Sequence, residues 1–408
     1  MQPWENYFAP PDTIPPSSIT NLTNTTYAPT YINWTWTNPP DADFSHVMVY
    51  INGVWKANTS NNYYNATGLS PNTSYTISTH TVDTSGNINQ TWVNHTARTA
   101  PISPVYIYVP NDYAKIQWAV DNASAGDTII VRDGIYVENI DINKPHLTIR
   151  SENGSANCVV QAANSNDHVF YVTADNVTIK GFTVTGATGS DKAGICLHKS
   201  NNCRIENVNA SNNDEGIYLW SSNNIIINNT AASNNHDGIS LYESSNNTIA
   251  NNNVPNNVED GIELCYSSNN IIANNNVRWN IWDGIILGYS SNNTIANNTV
   301  SSNNDDGIFL SDSSSNNTVA NNTVSNNRDG IVLWCSSNNI IYLNNFINNT
   351  DNVYSYASTN IWNSTHQITY IYNNTTFTNY LGNYWSDYTG SDANGDGIGD
   401  TPYSIDSD

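Results

Sequence analysis

Near the C-terminus, Asp392, Asn394 and Asp396 set a carboxylate, an amide and a second carboxylate at alternate positions, interleaved with Gly395 and Gly397. Oxygen donors at that spacing on a glycine-turned loop suit a hard divalent cation, Ca2+ above all. Ile398 would donate its carbonyl, and Asp400 would bind directly or through water. Tyr403 stands where a bidentate glutamate would close such a loop, leaving Asp387, Asp406 or a glycan to complete the shell; the alternative is a plain Asp/Gly-rich turn. A second set of carboxylates recurs along the chain: Glu215, Asp237, Asp260, Asp283, Asp306 and Asp329 each precede a glycine. Stacked about 5 Å apart, such groups have the separation of a retaining glycosidase pair. They could equally hold Ca2+ for a lyase. An acid before glycine is also ordinary turn chemistry, and a position that recurs in every repeat is structural before it is catalytic. Were the chain an enzyme, its acids would be Asp305 with Asp306, or Glu259 with Asp260, and Arg278 or Arg328 would be a candidate base.

Trp220, Tyr242, Tyr266, Tyr289 and Trp334, with Trp282 nearby, make a candidate strip for stacking pyranose rings. Ordinary outward packing or an oligomer contact accounts for them equally well. His236 and His366 stand without clustered partners, so neither copper nor zinc is expected.

The elements that must position these groups are periodic. Gly-Ile steps fall at Gly194, Gly216, Gly238, Gly261, Gly284, Gly307 and Gly330, at intervals of 22 or 23 residues. A period in the twenties marks stacked repeats, each covering its neighbour's apolar face. Inward columns follow: Ile226, Ile249, Ile272, Ile295 and Val319; then Ala231, Val254, Val277, Val300 and Val324; then the Ile and Leu of each Gly-Ile-x-Leu strand. Between the first two columns, Asn228, Asn251, Asn274, Asn297 and Asn321 are expected to stack their amides inside a bend. A few apolar side chains cannot offset the ordering of a whole coil, so the array must be cooperative.

These patterns divide the chain into a Pro-rich tail (1–15), a module of short alternating strands (16–99), a linker (100–104), the coil stack (105–350) and an aromatic C-terminal cap (351–408). Ile116, Ala119, Val120 and Ala123 lie at helical spacing after an acidic first turn, ahead of the first coil. The net charge of −23, with 12 Lys and Arg in 408 residues, excludes nucleic acid as a partner. No stretch is long and apolar enough for membrane insertion. Five cysteines show no metal spacing and read as isolated thiols. Sequons at Asn21, Asn24, Asn33, Asn58, Asn65, Asn72, Asn89 and Asn94 point to an exported, glycosylated protein.

Several segments carry family resemblances. Leu69 to Tyr75 resembles the tyrosine corner of a fibronectin type III domain, with Trp34 or Trp36 as core indole, and the likeness extends over 16–99. The helix-then-strand opening resembles the N-terminal cap of pectin-lyase-type right-handed parallel β-helices. Asp392 to Asp400 resembles the calcium loops of EF-hands, dockerins and thrombospondin type 3 repeats. The longer block Gly382 to Tyr403 is similar to the end of NosD-like β-helix proteins of archaeal cell surfaces. That family carries a copper-binding label, which no His, Met or Cys cluster here supports. Asp305-Asp306-Gly307 resembles the paired-aspartate step of polygalacturonases, but the Gly-His-Gly and Arg-x-Lys of that family are missing. The expectation is an all-β extracellular protein of the cell envelope, S-layer or matrix: a fibronectin III-like sandwich, then a right-handed parallel β-helix with a helical N-terminal cap and a calcium-loop C-terminal cap. It would be structural or adhesive, with glycans or envelope polymers and further copies of itself as partners. The alternative is a polysaccharide-degrading hydrolase or lyase.

Overall fold

A computed structural model describes residues 12–101 and 105–405. Most of the expected tail (1–11), the last three residues of the linker (102–104) and Asp406 therefore lie outside the described residues. Contacts divide the chain into two units, one ending at Ser103 and one beginning at Pro104.

In the first unit, period-2 alternation sets the core. Tyr31–Thr37 buries Ile32, Trp34 and Trp36, and Phe44–Ile51 buries Val47, Val49 and Ile51. Thr20–Asn24, Tyr31–Thr37 and Tyr63–Thr67 form one antiparallel sheet. Val54–Thr59, Phe44–Ile51, Ser74–Asp83 and Val93–Arg98 form a second. Asn52 and Gly53 both take positive φ (48° and 80°) at the expected hairpin. The Tyr75 hydroxyl accepts the Ser70 N–H at 2.9 Å, pinning the corner before that strand.

The second unit is a parallel β-solenoid. Three sheets of 11, 10 and 11 strands run its length, each coil adding one short strand to each sheet. Ile226, Ile249, Ile272, Ile295 and Val319 pair in register and are fully buried, as are Ala231, Val254, Val277, Val300 and Val324. Glycine is required ahead of the Ile-x-Leu strands by close approach rather than by φ. A Cβ on Gly261 would lie 2.2 Å from a Val277 methyl and 2.6 Å from the Gly284 carbonyl oxygen.

The asparagine column falls one residue later than the spacing suggested. Asn228, Asn251, Asn274, Asn297 and Asn321 take positive φ of 56–58° at the corners. Their successors Asn229, Asn252, Asn275, Asn298 and Asn322 turn inward. Each N–H in that inner series donates to the side-chain oxygen of the next coil's asparagine at 2.8–2.9 Å. The first residue of the Asn-Asn pair makes the left-handed corner that asparagine tolerates, and the second satisfies the buried backbone. Two further corners repeat the device. One stacks Asn224, Asn247, Asn270 and Asn293, and the other stacks Asn234, Asn257, Asn280 and Asn303.

Ahead of the coils, the helix Ile116–Asn122 buries Ile116, Ala119 and Val120. Its first turn is not acidic. Asp112 instead accepts the Tyr108 N–H at 2.7 Å, and the helix N–H groups of Ile116 and Gln117 are met by Glu138, each at 3.0 Å. At the other end the stack runs past the expected boundary at residue 350. Asp351–Tyr356 adds a strand beside Asp329–Trp334, and Tyr384–Trp385 pairs with Asn345–Ile347. Ile368–Tyr372 and Thr375–Asn379 form a separate hairpin.

Candidate functional site

The acids before the glycines are not splayed into solvent as a simple turn position would be. Glu215, Asp237, Asp260, Asp283 and Asp306 are all buried. The four aspartates form a ladder: Asp237 accepts the Asp260 N–H at 2.8 Å, Asp260 that of Asp283 at 2.7 Å, and Asp283 that of Asp306 at 2.8 Å. Burial pushes every member upward. Asp260 reaches about 8, with the Asp283 charge adding to the effect, and Asp283 reaches about 6. Glu215 and Asp237 are raised as well, by burial first and then by neighbouring carboxylates. His236 sits between two coils, its ring nitrogens 3.6 Å from Glu215 and 3.5 Å from Glu259.

Of the residues an enzyme would use, Asp305 and Asp306 do come together. Carboxylate oxygens of Asp283, Asp305 and Asp306 lie within 4.8 Å of one another. Arg328 joins them, 2.9 Å from Asp306 and 3.1 Å from Asp329, and it is paired with Asp305 as well. These groups line a cleft of about 320 Å³ whose other walls include Trp334 and Tyr354. Arg278 is held elsewhere, its guanidinium 4.2 Å from the Trp279 ring. Asp260 lies within the buried ladder and Glu259 beside His236. Arg328 as a candidate base and Asp329 as a column acid are legible in the sequence, but their meeting with Asp305 is not, and Tyr354 is a lining residue that the sequence reading does not include. The signal available was the one basic side chain in a column otherwise holding Asp214, His236, Glu259, Trp282 and Asp305.

The aromatic strip exists, over two neighbouring columns rather than one. Trp220 and Tyr242 meet edge to face at 6.1 Å, Tyr242 and Tyr266 at 5.9 Å, and Tyr266 and Tyr289 stack at 4.8 Å. Tyr266 and Tyr289 stand one residue later than Tyr242, at left-handed corners with φ of 50° and 51°. The strip reaches further back than expected, through His198, 4.9 Å from Trp220, to Tyr171. Trp334 resumes it against Tyr356 at 4.5 Å. Trp282 stands outside it, half exposed beside the acid ladder.

In the C-terminal loop the side chains fold back on their own backbone. Asp392 accepts the N–H groups of Asp396 (3.0 Å) and Gly397 (2.9 Å), Asp396 that of Ile398 (2.8 Å), and Asp400 that of Ala393 (2.6 Å). Asn394 accepts the Asp396 N–H at 3.0 Å, so Asp392, Asn394, Asp396 and Asp400 converge on one short turn. Among the N-terminal sequons, Asn21, Asn58, Asn65, Asn72 and Asn94 are exposed, while Asn24, Asn33 and Asn89 are half-buried. Asn89 already donates to the Pro16 carbonyl at 2.8 Å.

A cell surface glycoprotein of Methanothermus fervidus is 39% identical over 102 residues, 24% of this chain. The chain spans 16% of that relative's length. Among solved structures, a mannuronan C-5 epimerase A-module from Azotobacter vinelandii aligns with a TM-score of 0.53 at 18% identity, over 62% of this chain and 76% of its own. The enzymatically active domain of bacteriophage CBA120 tailspike protein 2 aligns at 0.50 and 14% identity, over 63% of this chain and 48% of its own. At such identities these two establish the fold alone: an all-β parallel β-solenoid of the right-handed type. The family model described as periplasmic copper-binding protein (NosD) matches residues 120–280 and 256–390. Copper favours imidazole and sulfur ligands, whereas among the described residues the two clusters able to hold an ion, Asp12/Asp43/Asp83 and Asp283/Asp305/Asp306, are purely carboxylate. Among the described residues, the copper of the family's description therefore finds no matching cluster of donors. Family and relative together place the chain outside the cytoplasm, at the cell surface or beyond it. The matched segments cover well over half of the sequence, and the chain belongs to the NosD family.

Proposed function

We propose that this chain is a structural and adhesive element of the cell envelope, whose coil stack binds glycans on its outer face and packs against copies of itself. The observation that supports it is the uniformity of the columns. The asparagine and aspartate ladders, and a serine ladder in which the N–H of Ser221, Ser244 and Ser267 each donates to the next coil's serine hydroxyl, repeat coil after coil and serve the backbone, which leaves the outward aromatic strip as the ligand-facing feature. Rings that stack on one another have their facing sides occupied, so sugars would meet the outer edges and hydroxyls of Tyr266 and Tyr289 and the half-exposed Trp334. The first unit, with its buried Trp34 and the Tyr75–Ser70 bond, serves as a fibronectin III-like spacer. The helix Ile116–Asn122 serves as a cap over the first coil, shielding an edge that would otherwise recruit strands. Immobilised envelope polysaccharide should retain the wild-type protein, and the pair Tyr266→Ala and Tyr289→Ala should weaken retention at least several-fold. Unchanged retention would remove the strip from the account.

The Asp392, Asn394, Asp396, Ile398 and Asp400 loop fits Ca2+, which would replace its internal hydrogen bonds with coordination to the same oxygens. EDTA should lower the melting temperature and raise hydrogen exchange mainly beyond residue 380. Identical melting with and without chelator, and no calorimetric Ca2+ binding, would reduce the loop to a turn. A second reading, a glycan-cleaving enzyme, draws on the cleft at Asp305 and Asp306, where acids and an arginine break the repeat. Arg328 is held by three carboxylates, which leaves it a poor base.

A further inference from the structure

The cleft between Asp283 and Tyr354 is the place where repetition gives way. Four carboxylates, Asp283, Asp305, Asp306 and Asp329, face a single guanidinium, that of Arg328. The acids alone would not define a ligand. Two other features do. Arg328, half-exposed, is a cationic N–H donor paired with three of them, so the acids are already arranged to meet a positive group with several donors. Beside it, Trp334 and Tyr354 lie 6.5 Å apart at a 27° interplanar angle and form an aromatic wall. Trp334 remains 43% exposed, leaving ring surface open to a ligand.

We propose that this cleft is a subsite for an amino sugar whose nitrogen is free rather than acetylated. The inference rests on the glycan-binding reading above and names its sugar class. The pyranose lies against Trp334, and the ammonium enters the carboxylate group in competition with Arg328. Burial favours the protonated form of Asp283 and Asp306, but with Asp305 and Asp329 beside them acid still exceeds the single guanidinium, and a uronate would add a carboxylate to that excess. A volume of about 320 Å³ is at the small end of ligand pockets, suited to one or two sugar rings rather than a long buried chain.

The test is isothermal titration of the full chain at neutral pH with three tetrasaccharides: glucosamine, N-acetylglucosamine and galacturonate. The glucosamine tetramer should bind about tenfold more tightly than its acetylated counterpart, and the uronate should not bind. Trp334→Ala, which leaves every charge in place, should weaken glucosamine binding about tenfold. Arg328→Gln should strengthen it, because the internal competitor is gone. Equal affinity for the free and acetylated amines overturns the proposal. So does binding that ignores both substitutions, since that would be adhesion of a polycation to an acidic surface. If N-acetylglucosamine tetramer binds and only Tyr266→Ala with Tyr289→Ala abolishes it, the cleft assignment fails while the adhesive reading stands. If no glycan binds by any route, both fail.

Discussion

Asn275→Ala should destabilise the coil stack by about 3–5 kcal/mol, far more than the loss of a small polar side chain would suggest. Asn275 accepts the Asn252 backbone N–H at 2.9 Å and its side-chain N–H at 3.0 Å. It donates to the Ile249 carbonyl at 2.9 Å and to Asn298 at 3.0 Å. Alanine leaves all of these partners in a dry interior at once, and each buried orphan costs roughly 1–3 kcal/mol, moderated by local relaxation. Aspartate at this place should be worse at neutral pH, because it removes the donors and adds a buried charge. The exposed neighbour Asn274, which makes the left-handed corner, should tolerate glycine with little loss. Hydrogen exchange around coils 250–300, read beside the melting temperature, checks the result. Equal effects at 274 and 275 would contradict the ladder.

The second large effect is on pH. In the folded chain Asp260 titrates near 8 and Asp283 near 6, both raised chiefly by burial, whereas the unfolded chain releases these protons near the ordinary aspartate value of about 3.9. Between those limits the folded state holds more protons than the unfolded one. Stability is therefore greatest at or below about pH 4 as far as these groups are concerned, and falls as pH rises toward 8. Other carboxylates set the acid limit of the whole protein. Raising pH from 5 to 8 in low-calcium buffer should lower the melting temperature by roughly 10 °C. Asp260→Asn keeps the oxygen that accepts the Asp283 N–H at 2.7 Å but carries no charge. It should raise stability at pH 8 and flatten the profile. A profile as steep in the variant as in the wild type would show that the buried ladder is not the source.

The fold was legible because its signal is repeated. The Ile and Val columns read from spacing are the buried ones, and the glycines mark where strand and neighbouring valine approach too closely for a Cβ. Adjacent identical residues blurred the reading by one step. In an Asn-Asn pair nothing in the sequence says which member takes the corner and which turns inward, and the backbone decides through φ. The acid column was read as turn chemistry, yet its side chains turn inward to the backbone of the next coil, a preference that Asp-Gly alone does not encode. The cleft was least legible. It joins Asp305 to Arg328 and Trp334 to Tyr354 across coils, so it depends on register rather than on any local motif.

In the proposed function the ladders support a wall on which glycans are bound and left intact. Its most direct test is to incubate the chain with glucosamine, N-acetylglucosamine and galacturonate polymers, with and without Ca2+, and to assay new reducing ends and unsaturated products. The account predicts retention of polymer with no new ends over long incubation. Accumulating product that disappears in Asp305→Asn or Asp306→Asn would contradict it.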